Sequence, residues 1–106
     1  GAVLVMDGAR LLGIVTERDY ARKVELKGKT ANTTLVSEIM TREVVFVRPN
    51  QTNEDCMALM TGKHLRHLPV IEKDQVIGLL SIGDLVKDAI SEQQFIIEQL
   101  EHYIHR

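Results

Sequence analysis

The chain opens with two short aliphatic runs, at 3–6 and 11–15, separated by the polar stretch Asp7-Gly8-Ala9-Arg10. Two such runs around a turn sequence predict a β-hairpin with Asp7-Gly8 in its turn. After Thr16 the spacing becomes helical, which predicts Tyr20, Ala21 and Val24 on an inner face and Gly28 as the stop. Residues 28–36, GKTANTTLV, are polar and read as a linker. A short helix around 37–40 and a strand at 44–47 (VVFV), closed by Pro49, follow. Pro49 to Thr52 is a turn, and Thr52 with Asp55 forms a capping box for a helix over about 53–62. The buried stripe of that helix is Cys56, Leu59 and Met60. A second hairpin is predicted at 67–71 and 76–80, with Lys73-Asp74 in the turn. Residues 83–105 read as almost continuous helix. Ile90, Ile97 and Ile104 fall seven apart, with Leu100 between the last two. That stripe wants a partner surface, in its own domain or in another chain, although Gln93 interrupts a coiled-coil pattern.

The pattern repeats. Residues 3–24, VLVMDGARLLGIVTERDYARKV, align without a gap onto 68–89, LPVIEKDQVIGLLSIGDLVKDA, at an offset of 65. Val5/Val70, Gly13/Gly78 and Asp19/Asp84 are identical, and Thr16 meets Ser81. Each copy reads as strand, turn, strand ending in G-h-h-[T/S]-x-x-D (h is aliphatic), then helix. The second copy is preceded by its own short helix, strand and helix, while the first has only Gly1 and Ala2 before Val3. A hairpin in a half-built unit exposes an edge, so the natural protein is expected to extend further at its N-terminus. Gly13 and Gly78 are expected to be packed closely against a neighbouring element or ligand.

Composition narrows the classes. The 106 residues are 44% hydrophobic and 26% charged, with a formal net charge of −2, as in an ordinary soluble domain or a pair of small repeats. No apolar run approaches the ~20 residues of a membrane span. Basic residues are interspersed with acids, which argues against nucleic acid as a partner. A cytoplasmic location is expected, because the single cysteine, Cys56, excludes an internal disulfide and fits a reducing compartment. Its apolar setting reads as core rather than reactive thiol. The histidines form pairs His64/His67 and His102/His105, without the three or four converging ligands that a metal needs. No nucleophile–base constellation, catalytic carboxylate pair or phosphate-binding glycine loop appears, so no catalytic residue is assigned.

The repeated strand–helix–strand–strand–helix unit with G-h-h-[T/S]-x-x-D resembles the CBS domain, named after cystathionine β-synthase. The strings that carry the resemblance are SEIMTREVVFVRPNQT, RHLPVIE and GLLSIGDL in the second motif, and GAVLVMDG with GIVTERDY in the first. Two such motifs form a Bateman module, and the stand-alone pairs are the most similar in style. The resemblance implies an α/β (α+β) fold of tandem motifs, each a small mixed sheet packed on two helices, related by a pseudo-twofold axis. The organisation it implies is the C-terminal part of a first motif at 1–27, a linker at 28–36, a second motif at 37–91 and a C-terminal amphipathic helix at 92–106. It further implies clefts between the motifs for adenosine-containing ligands, with AMP the first choice and ADP, ATP, NAD or S-adenosylmethionine the others. Homodimers and regulation of a protein partner are implied as well. The bland alternative is a structural dimerisation module without functional ligand binding.

The residues have their own chemistry. A hydroxyl at the start of a helix lies beside free N–H groups that suit a phosphate. An aspartate three residues on can accept from a ribose diol. Thr16/Asp19 and Ser81/Asp84 are therefore expected to grip a ribose phosphate each. The same side chains also make capping boxes, the purely structural reading, to which we leave Thr52/Asp55. Arg66 and Arg18 are the phosphate-binding candidates, since bidentate recognition favours arginine; solvated surface arginines are the alternative. Gly83 takes the place of Arg18 in the second copy, so the two sites are not equivalent. The resemblance adds an adenine wall from Val45, Val47, His67 and Pro69, with His67 in a rim or stacking role.

Overall fold

The computed structural model describes residues 1–104. β1 (Ala2–Asp7) and β2 (Arg10–Thr16) pair antiparallel from Ala2–Thr16 to Asp7–Arg10. The turn is Gly8-Ala9, one residue later than expected, because it needs a left-handed first residue and Gly8 supplies φ 61°. A slip in register after Val5 leaves Leu12 as the bulged residue. Thr16 then caps α1 (Glu17–Tyr20), which continues into a wider, π-helical turn over Ala21–Glu25. The Leu26 N–H closes that turn on the Ala21 carbonyl at 3.0 Å. Val24 is buried, but Tyr20 lies on the surface, 39% exposed. Its predicted inward face assumed a uniform 3.6-residue period, which the widened turn breaks. Gly28 ends the segment at φ 69°, as expected.

The predicted linker contains one 3₁₀ turn, Ala31–Thr33, and its last residue already belongs to α2 (Val36–Ile39). Thr41 follows and exchanges two backbone bonds with Ile14, at 3.0 and 2.9 Å. Gly13 permits that approach: a Cβ there would come 2.7 Å from Met40 Sδ and 2.9 Å from the Thr41 carbonyl oxygen. Gly78, its repeat partner, is different, with nothing within 4 Å of an added Cβ. Close packing against a neighbouring element therefore holds at Gly13, while at Gly78 no protein element among the described residues supplies it.

The strand predicted at 44–47 does not form. Val47 alone bridges Val70, in parallel, through Val47 N–H to the Pro69 carbonyl and Ile71 N–H to the Val47 carbonyl, both 2.9 Å. Extending that ladder to Val45 would require the N–H of residue 69, and Pro69 has none. α3 (Asn53–Lys63) starts at the predicted Thr52–Asp55 capping box and ends at His64, which is left-handed at φ 56°. β3 (His67–Glu72) and β4 (Gln75–Ser81) form the second two-stranded sheet. Their turn residues Lys73 and Asp74 both have positive φ, 50° and 62°, as a type I′ hairpin turn demands. Both sheets are thus hairpins, and among the described residues the parallel component of the expected mixed sheets is the one Val47–Val70 bridge.

Two compact units result, residues 1–49 with 69–78, and 50–68 with the chain from 79 on. The first buries Val24, Ile39, Met40, Val47 and Pro69; the second buries Cys56, Met60, Leu68 and Leu85. Full burial of side chains such as Met60 and Leu68 contributes about 1.5–3 kcal/mol each. Leu59 of the predicted α3 stripe is half-buried. α4 (Ile82–Ile104) extends through most of the predicted C-terminal helix. Its apolar stripe faces solvent: Ile90 is 60%, Ile97 47% and Leu100 57% exposed. His105, and with it the His102/His105 pair, lies outside the described residues.

Candidate functional site

Both [T/S]-x-x-D sequences fold into complete capping boxes. At the first, Thr16 donates its N–H (2.9 Å) and its hydroxyl (3.1 Å) to Asp19 Oδ2, and the Asp19 N–H donates back to Thr16 Oγ1 at 3.2 Å. At the second, Ser81 N–H and Oγ–H donate to Asp84 Oδ2 at 3.0 and 2.8 Å, and the Asp84 N–H donates to Ser81 Oγ at 3.2 Å. Each helix's first N–H is spent in the same way, on the carbonyl just before the hairpin: Glu17 to Gly1 (3.2 Å) and Ile82 to Arg66 (2.9 Å). The structural role is therefore real in both copies, and what distinguishes them is the capacity left over.

Asp19 has none. Its second oxygen, Oδ1, pairs with Lys23 at 3.3 Å, and the same ammonium donates to the Ile39 carbonyl at 2.9 Å. Partial burial alone would raise the Asp19 carboxyl, but the Thr16 amide, Lys23 and the Thr16 hydroxyl outweigh it and hold the group below the ordinary aspartate range. In the second copy Asp88 stands in the place of Lys23 and accepts instead from Asn53 Nδ2. Asp84 is exposed, and no further hydrogen bond or ion pair reaches its Oδ1 among the described residues. Its carboxyl is also held low, chiefly by the Ser81 amide and hydroxyl, with Lys87 and His67 adding attraction. A Cβ on the adjacent Gly83 would meet only Ser81 Oγ, at 3.6 Å, so the backbone of the first turn is open to approach. Lys23 was missed in the sequence, although its i, i+4 spacing from Asp19 is the usual signal for such a pair.

The arginines are placed at different corners. Arg66 takes the position of Gly1, and Arg18 that of Gly83. Both side chains are exposed. The Arg66 backbone is tied to the α4 start through Ile82, and His67, half-buried, lies close enough to Asp84 to favour its charge. Arg66, His67, Ser81 and Asp84 thus gather at the start of α4, in the second unit. Val47 and Pro69 are instead joined in the first unit, with both side chains enclosed by protein. Of the four expected wall residues His67 and Val45 are partly exposed, and the Val45 backbone has no ladder partner among the described residues.

The remaining features fall away from these residues. A concavity of about 460 Å³ in the first unit is lined by Arg10, Leu11, Phe46, Ile71 and Asp74, none of them a candidate. Burial, reinforced by Asp55, raises the Cys56 thiol above its ordinary value. Among the described residues no three His, Cys, Asp or Glu side chains gather as a metal site, and no helix is long and apolar enough to cross a membrane.

A family profile for the CBS domain matches residues 36–91. The chain is 38% identical, over 98% of its length, to the CBS domain-containing protein CBSX3, mitochondrial, of Arabidopsis thaliana, and spans 53% of that relative. Among solved structures, a protein with CBS domains from Burkholderia ambifaria MC40-6 is 56% identical with a TM-score of 0.83, covering 88% of this chain and 68% of that one. CBSX2, solved in complex with AMP, is 30% identical with a TM-score of 0.71, covering 87% of this chain and 72% of that one.

Proposed function

The chain belongs to the CBS-domain family, whose members are regulatory modules, and from that premise we propose that it senses an adenosine-containing ligand, AMP first, at the start of α4. The observation that carries this reading is the spare capacity of the second copy. Asp84 Oδ1 is available to accept from a ribose diol, and the open backbone at Gly83 admits a phosphate to the helix N-terminus. Arg66 and His67 flank that corner and supply positive charge and a ring. The bound AMP of CBSX2 supports the ligand class; ATP, NAD and S-adenosylmethionine are the competitors. Thr16, Arg18 and Asp19 form the weaker site, because a ribose there must displace Lys23 from Asp19. Within the first unit, Val45 offers an unpaired backbone edge, and Val47 and Pro69 support it.

The protein is read as a regulator of a partner, without catalysis of its own. The exposed apolar face of α4 favours a homodimer, and the single unpaired cysteine suits the cytoplasm. Calorimetric titration with AMP, ATP, NAD and S-adenosylmethionine tests the ligand reading. Saturable binding of AMP with Kd below about 1 mM is expected, weakened about ten- to a hundredfold by Asp84→Ala. Binding by none of the four, or an affinity indifferent to Asp84→Ala, leaves Ser81/Asp84 as a helix cap alone.

A further inference from the structure

The concavity of the first unit shares no residue with the adenosine reading. It holds about 460 Å³ and is lined by Arg10, Leu11, Phe46, Ile71 and Asp74. That size lies within the roughly 300–1,000 Å³ of small-molecule sites. The backbone positions each wall. Arg10 and Leu11 open β2 and pair across the ladder with Asp7 and Met6. Ile71 donates its N–H to the Val47 carbonyl at 2.9 Å, which holds the chain around residue 46 beside β3. Val47 is buried in the core, while Phe46, one residue before it, stays 41% exposed. Asp74 stands in the β3–β4 turn at φ 62°. By the offset of 65, an N-terminal counterpart of the Val47–Val70 bridge adjoins Val5 on β1, and β1 contributes nothing to the lining.

The two charges of this lining are not neutralised. Among the described residues Arg10 forms no ion pair with Asp7, its cross-strand neighbour, and Asp74 forms none with the adjacent Lys73. Nor do Arg10 and Asp74 approach each other within 4.0 Å. One concavity therefore presents a guanidinium, a carboxylate and an apolar wall of Leu11, Phe46 and Ile71. A guanidinium forks onto a carboxylate, and a carboxylate accepts from an ammonium. An α-amino acid carries both complementary groups on one carbon, with its side chain as a third arm. We propose that this concavity binds a free α-amino acid with a large apolar side chain. Its carboxylate lies on Arg10, its ammonium on Asp74, and its side chain against Phe46, Leu11 and Ile71. An acid or an amine alone engages only one of the two charges, so the pair selects a zwitterion. The inference stands apart from the nucleotide reading, because the two use different residues.

The test is a titration of the isotopically labelled chain with L-phenylalanine, followed by its amide chemical shifts. Saturable shifts are expected at Arg10, Leu11, Phe46, Ile71 and Asp74, with Kd of about 1 mM or below. N-acetylphenylalanine, which lacks the ammonium, and phenylalaninamide, which lacks the carboxylate, should each bind at least about tenfold more weakly. Arg10→Gln and Asp74→Asn should weaken L-phenylalanine by a similar factor. Both residues are exposed, and asparagine tolerates the left-handed backbone of position 74, so both variants keep their fold, verified by circular dichroism. In Arg10→Gln the amide and the free acid should bind alike, because the group that distinguishes them is gone. Absence of saturable binding, or binding indifferent to both variants, overturns the proposal. So do shifts confined to the start of α4, or displacement of L-phenylalanine by AMP, since either outcome puts the ligand at the adenosine site.

Discussion

Adding one methyl group at Gly13, and separately at Gly78, separates the two copies of the repeat by stability. At Gly13 the new Cβ would sit 2.7 Å from Met40 Sδ, 2.9 Å from Met40 Cγ and 2.9 Å from the Thr41 carbonyl oxygen. Met40 is buried and cannot swing into solvent. The Thr41 oxygen is held by the Ile14 N–H at 3.0 Å. Relief therefore requires moving the backbone of residues 40–41 and stretching the paired Ile14–Thr41 bonds. Overpacking of this kind costs about 1–3 kcal/mol, and each hydrogen bond lost adds about 0.5–1.5 kcal/mol. The reduced freedom of the unfolded chain returns about 0.4–1 kcal/mol, so Gly13→Ala should destabilise by about 1–3 kcal/mol net. At Gly78 the same methyl meets nothing within 4 Å. The entropic term then acts alone, and Gly78→Ala should be neutral or stabilising by up to about 1 kcal/mol. At roughly 4–8 °C per kcal/mol for a domain of this size, the two variants should differ by about 4–30 °C in Tm, with Gly13→Ala the lower. Thermal and urea unfolding of both, side by side with the wild type, provide the measurement. A Gly13→Ala protein as stable as Gly78→Ala would refute the claim that the Met40–Thr41 segment closes on β2 over Gly13.

Two further outcomes follow from local geometry. Asp19 and Asp84 are both held below the ordinary aspartate value of about 3.9, so the unfolded chain binds protons more readily than the folded one. Their stabilisation is full above that value and is lost as pH falls through it and on through the lower folded values. Tm should fall as pH drops from 5 to 3, with a shallower fall in Asp19→Asn; an identical slope in that variant would contradict the assignment. In the β3–β4 turn, Lys73 adopts φ 50° without the backbone freedom of glycine or asparagine. Lys73→Asn should raise stability by about 0.5–1 kcal/mol, read as a higher urea midpoint at unchanged slope.

Which features could be read from the sequence depended on how local their causes are. The hairpins, the three capping boxes and the stop at Gly28 each rest on residues a few positions apart, and all were legible. The strand at 44–47 was not, because its failure depends on Pro69, a residue on the opposite strand that lacks the needed N–H. Gly13 and Gly78 stand in matching sequence contexts yet meet opposite surroundings, a difference set by where Met40 and Thr41 go. Tyr20 was misplaced because the switch to a π turn at Ala21 leaves no mark in the hydrophobic pattern. At the candidate site, the hydroxyl–aspartate pairs were legible as a doubled motif. The contrast that ranks them, Lys23 on Asp19 against a spare oxygen on Asp84, lay in an i+4 pair and its absence.

Amide chemical shifts of the isotopically labelled chain, followed during titration with AMP, test the central claim most directly. Saturable shifts are predicted at Ser81, Gly83, Asp84 and His67, with the Thr16–Asp19 amides responding at higher AMP concentration or less. No saturable shift at the start of α4, or a response confined to Thr16–Asp19, would contradict it.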